Sequence, residues 1–160
     1  MKKTIITLFC VLLATPVLAG GDNFELGTAL ETARVSVAPK SKFKRAMFNE
    51  FIRYSEIELR EGDLADADTY AVKAISLSKG ERVKLSDPAF YAISETDRTR
   101  LSTVRNRLVK VLPKSAKSKP ELAAKAVTLY ECALMEAEET PRDCERGLMV
   151  ILERFENKVK

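Results

Sequence analysis

Hydrophobic positions recur every three or four residues in two consecutive stretches that meet at Glu61-Gly62-Asp63. In the first stretch one face carries Phe48, Phe51, Ile52, Ser55 and Leu59. In the second stretch one face carries Leu64, Ala67, Ala71 and Ala74. This spacing matches the 3.6-residue turn of an α-helix, and neither stripe can be buried by its own helix. The pattern predicts an antiparallel helix hairpin, residues 41–60 followed by 64–78.

Three more helical patterns follow the hairpin. Ser94 and Asp97 form a capping pair for the first of them, and Pro113 is predicted to end it. Pro120 is predicted to open the next helix, because proline is favoured at the first helical position. Thr140-Pro141 is predicted to begin the last helix, which carries Cys144 and later apolar positions on its buried face.

Residues 81–93 show no helical period and contain the turn signal Asp-Pro. The sequence predicts a loop there, tucked over the other helices by Phe90, Tyr91 and Ile93. No β-type alternation of useful length occurs elsewhere. We therefore predict an all-α fold for residues 42–160, a bundle of five or six helices built from antiparallel hairpins.

The first 19 residues have the features of a secretory signal peptide. Two lysines precede an apolar run, and Val17-Leu18-Ala19 provides a small-residue cleavage site. The apolar run is about 15 residues long, whereas a membrane-spanning helix needs roughly 20. Lipidation at Cys10 is the alternative, but Leu8 and Phe9 precede this cysteine where lipidation sites have small residues.

Cleavage after Ala19 would leave a leader, residues 20–41, with a short helix predicted over 24–35. The mature protein would have no transmembrane segment and would be periplasmic or secreted. Its formal net charge would fall from +4 to +2, because Lys2 and Lys3 leave with the signal peptide. The overall charge is then a weak guide to partners.

Two cysteines, Cys132 and Cys144, remain after cleavage. An even number of cysteines in an exported protein predicts a disulfide, and the two residues flank a predicted turn between successive helices. A redox-active pair is the alternative, although such pairs are more naturally spaced Cys-x-x-Cys. We predict a structural disulfide that joins the last two helices.

Histidine is absent from the chain. Its absence excludes Ser-His-Asp and Cys-His catalysis, histidine-ligated zinc and a histidine pH switch. Glu56, Glu58 and Glu61 could be proposed as acid and base, but no nucleophile or oxyanion hole accompanies them. The sequence predicts a non-catalytic protein with neither cofactor nor metal site.

Residues 98–119 contain eight basic residues and no acidic one. Six of them are candidates for binding an anionic surface: Arg98, Arg100, Arg105, Arg107, Lys110 and Lys114. Lipid headgroups or lipopolysaccharide would be the ligands. The alternative is a solvated helix face balanced by nearby acidic residues such as Glu131 and Glu136. Nucleic acid is not an expected ligand, because no aromatic residues interleave with the charges.

The second arm of the hairpin, residues 61–75, resembles the second half of a tetratricopeptide repeat. Gly62-Asp63 would make the tight turn, and Ala67 and Ala74 would allow close helix packing. The pattern does not recur at the repeat's period of about 34 residues. A single helix hairpin within a bundle is the alternative.

Several segments in order resemble a helical periplasmic region that precedes the peptidoglycan-binding domain in some OmpA-family outer membrane proteins of proteobacteria. These segments are residues 54–75, Lys79-Gly80-Glu81, residues 100–108, and Tyr130-Glu131-Cys132 with the acidic stretch 136–139 and a second cysteine. The resemblance covers residues 45–150 and carries over no wall-binding residue. It implies a spacer or docking role between the outer membrane and the cell wall.

Two functional hypotheses follow from the sequence. The first is a periplasmic interaction or adaptor domain of the cell envelope, whose partners are envelope proteins. The second is a binder of anionic envelope components through the basic helix.

Overall fold

A computed structural model of the protein describes residues 26–137 and 143–157. The described residues form six α-helices: α1 (Ala29–Val35), α2 (Lys42–Glu61), α3 (Leu64–Ser78), α4 (Glu95–Ser118), α5 (Pro120–Met135) and α6 (Asp143–Glu156). The α3–α4 loop, residues 79–94, contains one short 3₁₀ helix, and no described residue belongs to a strand. The all-α prediction is confirmed. The predicted signal peptide and the predicted helix start at Thr140-Pro141 lie outside the described residues.

The hairpin formed by α2 and α3 follows the predicted boundaries within one residue. The Asp63 carboxylate accepts the backbone N–H of Asp66 at 3.0 Å and so caps α3. Gly62 has φ +90°, a left-handed conformation that glycine adopts without strain, and this allows the sharp turn. Ser55 Oγ donates to the Ala67 carbonyl at 2.7 Å and links the two helices directly.

Helix α1 begins later than predicted and is held by a carboxylate from another helix. Asp68 of α3 accepts the N–H groups of Gly27 at 2.8 Å and Ala29 at 3.1 Å. The apolar face of α1, including Leu30, is buried. The first helix is therefore docked onto α3 by both apolar contact and a charged cap.

Helix α5 is the centre of the fold, because α2, α4 and α6 all pack against it. Every residue from Ala123 to Leu134 except Lys125 is buried. Small alanine side chains let three helices approach the same segment closely. No helix in the two described ranges is long and apolar enough to cross a bilayer.

Helix α4 continues through Pro113 to Ser118, so the predicted stop at this proline was wrong. An interior proline removes one hydrogen-bond donor and crowds the preceding turn, at a cost of about 3 kcal/mol. The turn after Pro113 packs onto the fold: Ser115 is buried and Ala116 contacts the core. Tertiary packing of this turn offsets the local penalty and extends the helix.

The α3–α4 loop lies over the bundle, as predicted, but with different contacts. Pro88 and Ile93 are buried, and Tyr91 is half-buried. Phe90, predicted to help hold the loop down, is 88% exposed, so that prediction was wrong. The Asp87 carboxylate accepts the Ala89 N–H and starts the 3₁₀ turn, which directs the neighbouring ring outward.

Candidate functional site

An apolar groove of about 480 Å³ opens between α2, α4, α5 and the α3–α4 loop. Its apolar lining consists of Phe43, Met47, Val83, Leu85, Val109, Leu112, Pro113, Ala116 and Val127. Two basic residues, Lys84 and Arg105, complete the lining, and no acidic residue contributes to it. Small-molecule sites usually measure about 300–1,000 Å³ and combine an apolar wall with a few polar groups. The groove has both properties.

The extension of α4 beyond Pro113 builds one wall of the groove. Pro113 and Ala116 both line the cavity, and Val109 lies one turn before the proline with 47% of its surface exposed. A helix that ended at Pro113 would not supply Ala116. The unexpected continuation of α4 is therefore part of the site.

The opposite wall is irregular backbone held in place by basic side chains. Lys44 Nζ donates to the carbonyls of Gly80 at 3.0 Å and Glu81 at 3.3 Å. Arg98 Nη1 donates to the Pro88 carbonyl at 2.7 Å. Backbone carbonyls outside regular structure still need hydrogen-bond donors. Cationic residues of α2 and α4 provide them here and fix both ends of the loop.

The middle of the loop is fixed by a buried carboxylate of α5. Glu131 has 0% exposure, and its carboxylate accepts the Ser86 N–H at 3.0 Å and the Ser86 hydroxyl at 2.6 Å. The same carboxylate forms an ion pair with Lys73 of α3. Tyr130 OH donates to the Ser86 carbonyl at 2.9 Å, and burial raises the pKa of the Tyr130 phenol. We call these four residues the Ser86 cluster.

Arg105 connects the Ser86 cluster to the groove. Its Nε donates to the Ser86 carbonyl at 3.1 Å and its Nη2 to the Leu85 carbonyl at 3.3 Å. Its Nη1 makes no hydrogen bond with any described residue. Lys84 is exposed and forms no ion pair with a described carboxylate. The groove therefore carries two cations whose charges no described carboxylate neutralises at contact distance.

The six predicted anion-binding residues have different surroundings. Three of the six form ion pairs within the chain: Arg98 with Glu95, Arg100 with Asp97 and Glu145, and Arg107 with Glu156. The Arg107–Glu156 pair raises the pKa of the Arg107 guanidinium and lowers the pKa of the Glu156 carboxyl. Lys110 and Lys114 line a second cavity of about 320 Å³ beside Phe155. Arg105 alone of the six lines the groove.

Cys132 and Cys144 lie at disulfide-bonding distance, with their Cα atoms 5.8 Å apart. This confirms the predicted proximity of the two residues. Both Glu136 carboxylate oxygens accept the Cys144 N–H, at 3.0 and 3.2 Å, and burial raises the pKa of this carboxyl. Among described residues, Cys132, Glu136 and Cys144 are the one group whose ligand atoms are close enough to hold a metal ion. A disulfide would use both sulfurs and leave a single carboxylate.

Comparisons of the chain with protein-family models, curated proteins and solved structures find no match.

Sequence reasoning missed Lys84 and misassigned Glu131. The alternative interpretation of the basic run used Glu131 to balance that helix face, but Glu131 is buried and pairs with Lys73 of α3. The available signal was its position between Tyr130 and Cys132, in a helix whose other side chains are largely apolar. An acidic residue in such a segment indicates a buried partner rather than a solvated face.

Proposed function

We propose that this protein is an exported, non-catalytic helical interaction domain that acts as an adaptor in the cell envelope, with the groove as its recognition site. The groove is the observation that supports this proposal most directly. It is concave, mainly apolar and built by three helices and an anchored loop, so its shape is largely formed before a partner binds. A preorganised site loses less conformational entropy on binding than a mobile one.

The N-terminal sequence and the cysteine pair support export. Residues 1–19 have the charged start, apolar run and small-residue exit of a signal peptide. Cys132 and Cys144 lie at bonding distance, which suits an oxidising compartment such as the periplasm.

The α2–α3 hairpin supports the interaction role. Its close packing through Ser55 and Ala67 is consistent with the tetratricopeptide-like pattern of residues 61–75. The resemblance to a helical region of OmpA-family proteins suggests a position between the outer membrane and the cell wall. Both resemblances favour a protein that docks rather than one that performs chemistry.

A photo-reactive amino acid placed at Val109 in living cells tests the adaptor proposal. Val109 lines the groove and is 47% exposed, whereas Val72 on α3 is 49% exposed and outside the groove lining. Position 72 is therefore a matched control. A specific envelope adduct at position 109 that is absent at position 72 supports the proposal.

Leu112→Glu in the same background should abolish the adduct at position 109, because it places a charge inside the apolar cavity. An adduct that survives this change would not depend on the groove. Equal labelling at positions 109 and 72, or none at either, would contradict the adaptor proposal.

A second candidate function is binding of anionic envelope components. Lys84 and Arg105 at the groove favour it, because neither has a described carboxylate partner. Contacts between exposed charges weaken as salt rises, since the Debye length falls from about 10 Å at 0.1 M to about 3 Å at 1 M. Release of the protein from membrane fractions by high salt would support this function, and retention through the wash would favour a specific docking partner.

A further inference from the structure

We infer that the groove binds a single-chain anionic amphiphile, specifically a long-chain fatty carboxylate. The inference rests on the proposed function only in taking the groove as the binding site. The structure supplies two complementary parts, an apolar cavity and two cations lining it, Lys84 and Arg105, that have no carboxylate partner among the described residues.

The apolar part fits a hydrocarbon chain. Helix α4 contributes Val109, Leu112 and Ala116, and α2 contributes Phe43 and Met47 across the cavity. These side chains offer no charged or hydrogen-bonding group to a ligand. Burial of one methylene group improves affinity by about fourfold, which is the equilibrium equivalent of its transfer free energy. Affinity should therefore rise with chain length until the chain fills the roughly 480 Å³ cavity.

The charged part fits a carboxylate. Arg105 is oriented by its two hydrogen bonds to loop carbonyls, and its Nη1 remains available among the described residues. Lys84 lines the same cavity and carries a second cationic nitrogen. A carboxylate presents two acceptor oxygens and one negative charge, so one guanidinium nitrogen and one ammonium can satisfy it.

The positive charge of Lys84 and Arg105 also disfavours amphiphiles with a cationic headgroup. No acidic side chain lines the groove, so a cationic headgroup would meet two like charges and no counterion. The other arginines of the basic run are already paired, for example Arg107 with Glu156. Among the arginines of the basic run, Arg105 alone has no described carboxylate partner, and it lines the apolar cavity.

The test is a titration of the purified protein with sodium dodecanoate below its micellar concentration, followed by calorimetry. Butyrate supplies the same headgroup without the tail, and dodecyltrimethylammonium supplies the same tail with the opposite charge. We expect saturable binding of one dodecanoate per chain, and no saturable binding of either control. Binding of dodecyltrimethylammonium as tight as that of dodecanoate would overturn the inference, because charge would then play no part.

Two charge reversals in one loop provide the matched variants. Lys84→Glu changes a groove residue, and Arg82→Glu changes an exposed residue two positions away that does not line the groove. Both lower the net charge equally. Lys84→Glu should weaken dodecanoate binding at least about tenfold, the equivalent of one lost charged hydrogen bond. Arg82→Glu should change it less than about twofold, and equal losses in the two variants would overturn the inference.

The outcomes separate this inference from the adaptor proposal. If dodecanoate does not bind while the groove-specific adduct at position 109 persists in cells, the ligand class is wrong and the adaptor proposal stands. If dodecanoate binds but no adduct forms at position 109, the ligand class stands and the adaptor proposal is wrong.

Discussion

Two positions in the α3–α4 loop, Ser86 and Lys84, differ in the charge that they involve. Ser86 contacts a buried charge, whereas Lys84 carries an exposed one. At Ser86 the loop meets Glu131, a fully buried carboxylate whose charge is balanced by Lys73. At Lys84 the loop presents an exposed ammonium with no described carboxylate partner, beside Arg105. The first position holds the fold together, and the second is available to a ligand.

The difference follows from desolvation. A buried charge loses its hydration and must be compensated by an ion pair and hydrogen bonds. An exposed charge keeps its hydration, so the fold does not require a partner for it. Changes in the Ser86 cluster should therefore act mainly on stability, whereas changes at Lys84 should act mainly on binding.

The largest expected effect comes from Glu131→Ala. The change leaves Lys73, whose side chain is only 16% exposed, without its counterion, and removes the acceptor for two Ser86 donors. Removing one partner of a buried ion pair typically costs about 3–5 kcal/mol, and we expect a loss of about 4 kcal/mol in the free energy of unfolding. Urea denaturation would measure it.

The control for this prediction is the double variant Lys73→Met with Glu131→Leu. It removes both charges and keeps apolar volume, so it should lose clearly less stability than Glu131→Ala. Equal losses would show that the ion pair is not the source of the effect. Stability within about 0.5 kcal/mol of the parent for Glu131→Ala would contradict the proposed role of the Ser86 cluster.

The next largest effect concerns the residue that follows Glu131 in α5, Cys132, which lies at bonding distance from Cys144 of α6. A disulfide between residues 12 positions apart constrains a short loop and should stabilise by about 3 kcal/mol. We expect the exported protein, denatured without reductant, to show no free thiol. Reduction should lower the denaturation midpoint, whereas the same reductant should leave a Cys132→Ser, Cys144→Ser double variant unchanged. Two reactive thiols in the untreated protein would refute the bond.

Arg105→Gln should have an intermediate effect on the free energy of unfolding, because Arg105 contacts the Ser86 cluster and also lines the groove. The variant loses two hydrogen bonds to loop carbonyls, so we expect about 1–2 kcal/mol of destabilisation. Arg107→Gln is the control on the same helix. It breaks a partly exposed ion pair with Glu156 and should cost no more than about 1 kcal/mol. Hydrogen exchange of the Ser86 amide, which donates to Glu131, should accelerate in the first variant only.

The smallest stability effect is expected for Lys84→Gln. Lys84 is exposed and has no described ion pair, so the free energy of unfolding should change by less than about 0.5 kcal/mol. Dodecanoate affinity should nevertheless fall about tenfold, since a charged donor is lost. A large stability loss without a binding change would reverse the contrast between the two regions.

Many helix ends could be predicted from the sequence, because they depend on the chemistry of nearby residues. Asp63 caps α3 and Ser94 caps α4 through N–H groups three residues away. Pro120 opens α5, and Gly80 follows the end of α3 with φ +84°. Each signal lies within a few residues of the backbone that it organises.

The candidate site could be predicted only in part, because its residues come from distant segments. Arg105 was identified as a cation of the basic run, but its placement in an apolar cavity was not. The residues that line the groove are widely separated in the sequence, the first being Phe43 and the last Val127. No pattern within one helix indicates that they come together in the fold. Whether each arginine forms an ion pair likewise depends on acidic residues at other positions, as with Arg107 and Glu156.

The sequence by itself determined the helical class, the hairpin of α2 and α3, the helix caps and the candidate cysteine pair. Tertiary structure decided that α4 continues past Pro113, that α5 is buried from Ala123 to Leu134 except at Lys125, and that Glu131 pairs with Lys73. The physical reason is the sequence distance over which each kind of interaction acts. Capping and periodicity act over a few residues, whereas burial and charge compensation depend on which helices pack together.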